Sequence, residues 1–134
     1  MELFLKSHQE VKKYDQNTPK QGDIVFVDAE PHLGKEYGGH NFNNGNIRRP
    51  LIVLSNDDYN EATGMVIGMF VTSSDKFINE MLKPFADFES GVKGKIVLWQ
   101  LPTYDAAARH LEVVGHAKPS LVKELKQAAT DLFN

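Results

Sequence analysis

The segment Gly22-Asp23-Ile24-Val25-Phe26-Val27-Asp28 opens the folded part of this chain. Its four central residues are β-branched or aromatic, and an aspartate stands at each end. Such a run reads as a strand covered on both faces. Beyond it, residues 31–47 hold four glycines and four asparagines (Asn41, Asn43, Asn44, Asn46). That composition favours turns over packing, and loops of such length are usually functional or disordered. Pro50 then opens a second strand, Leu51-Ile52-Val53-Leu54-Ser55. Proline is tolerated at the first residue of a strand, where its missing N–H does no harm.

Residues 56–64 carry turn chemistry with room for one helical turn, and residues 65–71 read as a third apolar strand. Thr72-Ser73-Ser74-Asp75 ends it with hydroxyls. Residues 77–82 suggest a short helix, residues 84–88 a short strand, and Gly91 and Gly94 frame a turn. Residues 95–101 are strand-like, residues 105–109 suggest a brief helix, and residues 111–114 a last short strand. The clearest helix is C-terminal. Pro119 suits a first helical position, and Leu121, Val122, Leu125, Ala128, Ala129, Leu132 and Phe133 follow helical spacing. Five or six short, mostly antiparallel strands with one terminal helix predict a small β-barrel or curled sheet of the α+β class, mainly β. Residues 1–21 are read as an N-terminal appendage, whose Leu5, His8 and Val11 would share one side of a helical turn or two. Residues 22–134 are read as one domain with a long loop at 31–47.

The 134 residues weigh 15.1 kDa, with 41% hydrophobic and 25% charged side chains, which is ordinary globular composition. The chain has no cysteine, so disulfide scaffolds, thiolate zinc sites and cysteine nucleophiles are excluded. The net charge of -3 excludes bulk electrostatic attraction to nucleic acid, so any such contact needs a local basic patch. Residues 1–50 hold seven basic and seven acidic side chains, residues 51–100 four and seven, and residues 101–134 four of each. The negative excess therefore lies in the middle. Two of the three arginines, Arg48 and Arg49, are adjacent. No stretch approaches the ~20 apolar residues of a membrane span. The N-terminus lacks the features of a signal peptide, so a cytoplasmic protein is expected, without membrane partners.

Three constellations have chemical content. Gly34-Lys35-Glu36-Tyr37-Gly38-Gly39-His40 is neither a P-loop nor a dinucleotide fingerprint, but it carries a cation, an acid/base group and a titratable imidazole. Arg48-Arg49-Pro50 stands immediately before a buried strand, so Arg49 would be held more rigidly than on a free loop. Thr72-Ser73-Ser74 offers hydroxyls at the exit of the adjacent strand, either for phosphate oxygens or for plain strand-end bonds to backbone. His8, His32, His40, His110 and His116 show no metalloprotease spacing, and no carboxylate set completes a metal site. A serine triad lacks its nucleophile elbow. No metal and no cofactor is expected.

These residues also carry a resemblance. The run from Gly22 to Asp28, then Pro31, Gly34-Lys35-Glu36 and Arg49-Pro50 before an apolar strand resembles the opening of MazF/PemK-type toxins. Tyr59-Asn60-Glu61-Ala62-Thr63-Gly64-Met65, Val71-Thr72-Ser73, Gln100-Leu101-Pro102-Thr103-Tyr104-Asp105 and the C-terminal helix follow the same layout, over about residues 20–133. The resemblance implies a small SH3-like β-barrel of CcdB/PemK type with a C-terminal helix, assembled as a homodimer. It implies the toxin of a toxin–antitoxin module: a sequence-selective, metal-independent endoribonuclease acting on single-stranded mRNA. Transesterification by the neighbouring 2′-OH would leave a 2′,3′-cyclic phosphate and a 5′-hydroxyl. It also implies a short acidic antitoxin partner, with DNA binding by the pair. By motif, Arg49 would stabilise the phosphorane, Thr72 with Ser73 would bond the scissile phosphate, and Glu36 would act as a base or orient Arg49. RNA contacts are expected from Lys35, His40, Phe42, Arg48, Ser73 and Gln100.

Two departures from the family pattern stand out. An insertion of about eight residues, from His40 to Arg48, lengthens the loop beside the RNA groove. It would act as a lid, read bases or mask the site. Its Phe42 would either stack on a base or pin the loop to the barrel. Pro102 stands where many relatives carry a basic residue, and Trp99 where many carry an acid. Burial is expected for Trp99. The competing readings are a CcdB-like gyrase poison that cuts nothing, and a catalytically weakened barrel serving as a binding module.

Overall fold

The computed structural model describes residue 16 and residues 18–29, 48–74 and 81–134. The loop at 31–47, almost all of the N-terminal appendage and residues 77–80 of the expected short helix lie outside the described residues.

β1 (Asp23–Asp28) and β2 (Arg48–Val53) form where the two apolar runs predict strands. They pair antiparallel, with Ile24 opposite Ile52 and Val27 opposite Arg49. α1 (Asp57–Thr63) is the helical turn expected after β2, grown to two turns. Asn56 caps it by accepting from Tyr59 N, and Gly64 closes it in the left-handed region. β3 (Met65–Thr72) runs back beside β2. β4 (Leu82–Ala86), β5 (Lys93–Val97), β6 (Thr103–Asp105) and β7 (Glu112–His116) follow, then α2 (Pro119–Asp131).

Among the described residues seven strands form one sheet in the order β4-β5-β3-β2-β1-β7, with β6 also on β3. Every pairing is antiparallel. β3 organises the sheet. One edge bonds β2, while the other bonds β6 near its start and β5 at its end. Between those two partners the register shifts by three residues, and the extra length makes a bend at residues 98–102. This bend curls the sheet into a half-barrel. Gly68 makes the crossing possible: a Cβ there would stand 2.2 Å from the Ile52 carbonyl oxygen. Its N–H bonds the Pro102 carbonyl at 3.1 Å.

Each face of the sheet carries its own core. Val25, Val27, Leu51, Val53, Phe70, Val97 and Val113 pack on the inner face, with Trp99, Tyr104 and Leu111 against them. Ile24, Ile52, Met69, Ile96, Val122 and Leu125 pack on the other face, where α2 docks. Strict alternation along the strands divides the two sets. The Lys83–Glu124 ion pair, at 3.0 Å, ties α2 to β4. No helix among the described residues is long and apolar enough to cross a membrane.

The local differences from the sequence reading have physical causes. The triple-alanine stretch near 105–109 forms turns rather than a helix. Too few residues separate β6 from β7 to propagate one, and His110 takes a φ of 50° that ends the run. β6 has three residues, Thr103-Tyr104-Asp105, too few for a periodic signal. The strand at β4 begins at Leu82, which is paired with Val97, rather than at Pro84. The segment before Gly22 is bonded onto the domain. Buried Asn60 donates to the Pro19 carbonyl at 2.9 Å, and Gln21 N donates to Asp57 at 2.8 Å. The Gln16 amide both donates to and accepts from the Val113 backbone on the outer edge of β7.

Candidate active site

Arg49 is the second residue of β2, opposite Val27 of β1. On its other side β2 pairs β3 with Leu51 opposite Phe70. Carrying that register on by two residues sets Arg49 level with Thr72, the last residue of β3. Both share the alternation of Leu51 and Phe70, so both belong to the inner face. The pair expected from sequence positions 23 apart is thus brought to one end of one face. The Arg49 Nε is shielded from solvent, so the start of this side chain is held within the protein. Thr72 is 2% exposed, and its Oγ1 accepts from Ser74 N at 3.0 Å. The strand-end backbone bond considered for this threonine is therefore present. A hydroxyl that accepts still has its own proton to donate.

Across β3 from this pair, the β5 ladder sets Lys95 opposite Thr72. Nothing in the sequence singles this lysine out, because its place depends on a register that only pairing defines.

The other expected residues are distributed differently. Arg48 follows the opposite alternation from Arg49 and is committed elsewhere. Its Nη1 donates to Asp28 Oδ1 at 2.8 Å, its Nη2 donates to the Phe26 carbonyl at 3.4 Å, and Glu112 lies 3.6 Å away. Ser73 is exposed just beyond β3. Gln100 is half-buried on the β5–β6 bend, away from the row that holds Thr72. Trp99 is half-buried against the inner core, as expected in kind if not in full. Lys35, Glu36, His40 and Phe42 lie outside the described residues.

Asp28 organises the rim beside the site. It is 6% exposed and pairs with Arg48 and with His110 Nδ1, the latter at 2.6 Å. Its carbonyl accepts from Arg109, whose guanidinium lies 4.3 Å over the Tyr104 ring. Burial alone would raise the Asp28 pKa. The hydrogen bonds and charges of His110 and Arg48 outweigh it and hold the carboxyl below its ordinary 3.8. At the other end of β1, buried Asp23 holds His116 Nδ1 at 3.0 Å and accepts from Lys20 N. The two aspartates that frame the opening strand thus each clamp a histidine flanking or ending β7.

A curled half-barrel of antiparallel strands with a C-terminal helix is the fold of a known class of small toxins. Residues 20–133 match the family described as PemK-like, MazF-like toxin of type II toxin-antitoxin system. The chain belongs to this family. It is 38% identical over 58 residues to the endoribonuclease toxin MazF of Escherichia coli K12. That match covers 43% of this chain and 45% of the relative, so the chain spans about half the length of the curated relatives it matches. Among solved structures, MazF from Deinococcus radiodurans superposes with a TM-score of 0.72 at 27% identity, covering 90% of this chain and 97% of that one. A MazE-MazF structure from the same organism gives a TM-score of 0.66 at 27% identity, with 90% and 96% covered.

Proposed function

We propose that this chain is the toxin of a toxin–antitoxin pair and a sequence-selective endoribonuclease that cleaves single-stranded mRNA without a metal ion. The level placement of Arg49 and Thr72 at one end of the inner face carries this reading. In the reaction the 2′-hydroxyl oxygen attacks the adjacent phosphorus. The P–O2′ bond forms, the P–O5′ bond breaks, one proton leaves the 2′-hydroxyl and one reaches O5′. The charge that grows on the equatorial oxygens calls for a fixed cation and a fixed donor. Arg49 supplies the first and takes part in proton transfer, and the Thr72 hydroxyl, with Ser73, supplies the second. Glu36 assists as the base or orients Arg49.

The working form is a cytoplasmic homodimer whose small basic groove takes the RNA. A short acidic antitoxin occupies the same groove by matching its charge. The relatives support this pairing, since one of the similar solved structures is of MazE with MazF.

The test is incubation of purified protein with total RNA in excess EDTA, beside Arg49→Ala. Cleavage by the wild type, with the variant at least about 100-fold slower and equally folded, supports the reading. No cleavage by either, with growth still arrested on expression, points instead to a protein target of the gyrase-poison kind. RNA bound but left uncut by both points to a binding module.

A further inference from the structure

The ladder between β3 and β5 ends with Thr72 directly opposite Lys95. Directly opposed residues in an antiparallel pair project from the same face, with Cβ atoms about 4.5–5.5 Å apart. The face is confirmed by alternation. Val97, Phe70 and Leu51 stand two residues from Lys95, Thr72 and Arg49 respectively, and all three pack in the inner core. Arg49, Thr72 and Lys95 therefore form one row across β2, β3 and β5. Lys95 stands on the strand that flanks Thr72 on the side opposite to Arg49.

The backbone beneath Lys95 is held closely. The preceding residue, Gly94, has a φ of 151°, and a Cβ there would stand 2.4 Å from the Thr72 carbonyl oxygen. Only glycine allows β5 to lie this near Thr72. Lys95 itself is half-buried.

We infer that Lys95 is a further catalytic residue of this site. Its ammonium contacts a non-bridging oxygen of the phosphate bonded by Thr72 and adds a second positive charge on the phosphorane, opposite Arg49. Lys95 forms no covalent bond, and the bonds made and broken remain P–O2′ and P–O5′. This rests on the ribonuclease reading, and the experiment separates the two.

The experiment is steady-state cleavage of one RNA oligonucleotide by wild type, Lys95→Met, Lys95→Arg and Lys93→Met, with thermal unfolding of each. Methionine keeps the stem and removes the charge. Lys93 is exposed on the same strand and serves as the control. The expected result is kcat about 100-fold lower in Lys95→Met. KM and the thermal midpoint stay near wild type, Lys95→Arg recovers part of the loss, and Lys93→Met is unchanged. A Lys95→Met kcat within twofold of wild type overturns the inference while the ribonuclease reading stands. So does a loss that arginine fails to rescue and that tracks a lowered thermal midpoint. A wild type that cuts no RNA overturns the ribonuclease reading and this inference with it.

Discussion

Asp28 shows what one residue does here. It is buried, yet two cationic or protonatable partners keep its carboxyl ionised below its ordinary pKa of 3.8. A carboxylate whose folded pKa lies below its unfolded one stabilises the fold above the unfolded value. That contribution is lost as pH falls through the folded value. The wild type should therefore lose stability on acidification from pH 5 downward more steeply than Asp28→Asn. The asparagine variant should be less stable near neutrality, since it leaves Arg48 and His110 without the charge they face. Urea midpoints from pH 2.5 to 7 for both proteins check this, and parallel curves would contradict it. Arg49 and Thr72 were legible through the Arg-Pro and Val-Thr-Ser motifs that resemble the family, because such motifs are local patterns. They did not reveal that neighbouring Arg48 turns away to Asp28, because that follows from alternation along β2 and from a partner 20 positions distant.

At the scale of elements, the site depends on how β3 is held between β2 and β5. β5 lies close to Thr72 at Gly94, where a Cβ would meet the Thr72 carbonyl. Gly94→Ala would force its methyl group against the Thr72 carbonyl and strain a backbone angle that side chains rarely adopt. A loss of about 2 kcal/mol or more is expected from the urea midpoint. Cleavage should fall as well, because a small displacement of a positioning group is costly to the reaction. A variant with unaltered stability and activity would mean that β5 yields there. Runs such as Ile24-Val25-Phe26-Val27 and the α2 spacing were readable in advance, because periodicity and β-branching are properties of the local chain. β6 and the turns at 106–110 were not, since three residues paired to β3 carry no period.

For the whole molecule, a net charge of -3 and a few clustered cations set the terms on which it would meet RNA. Each phosphate neutralised on a single strand contributes roughly -0.7 to the slope of log affinity against log salt. With about three contacts, among them Arg49 and Lys95, the slope should be about -2. An oligonucleotide with blocked 2′ positions, titrated at several salt concentrations, measures it. A slope near zero would contradict the cationic row, and one much steeper would reveal a basic surface beyond it.

Composition and local pattern were enough to establish a small, cysteine-free, mainly β domain with a C-terminal helix. They also picked out the Arg-Pro and Thr-Ser motifs that link the chain to its family. These are consequences of which side chains favour extended backbone, helix or turn over a few residues. The row of Arg49, Thr72 and Lys95 and the turning away of Arg48 were decided only in the folded sheet. So was the clamping of His110 and His116 by the two aspartates of β1. Register and facing arise from pairing between distant segments, where a shift of one residue reverses every side chain, and no local stretch of sequence encodes that choice.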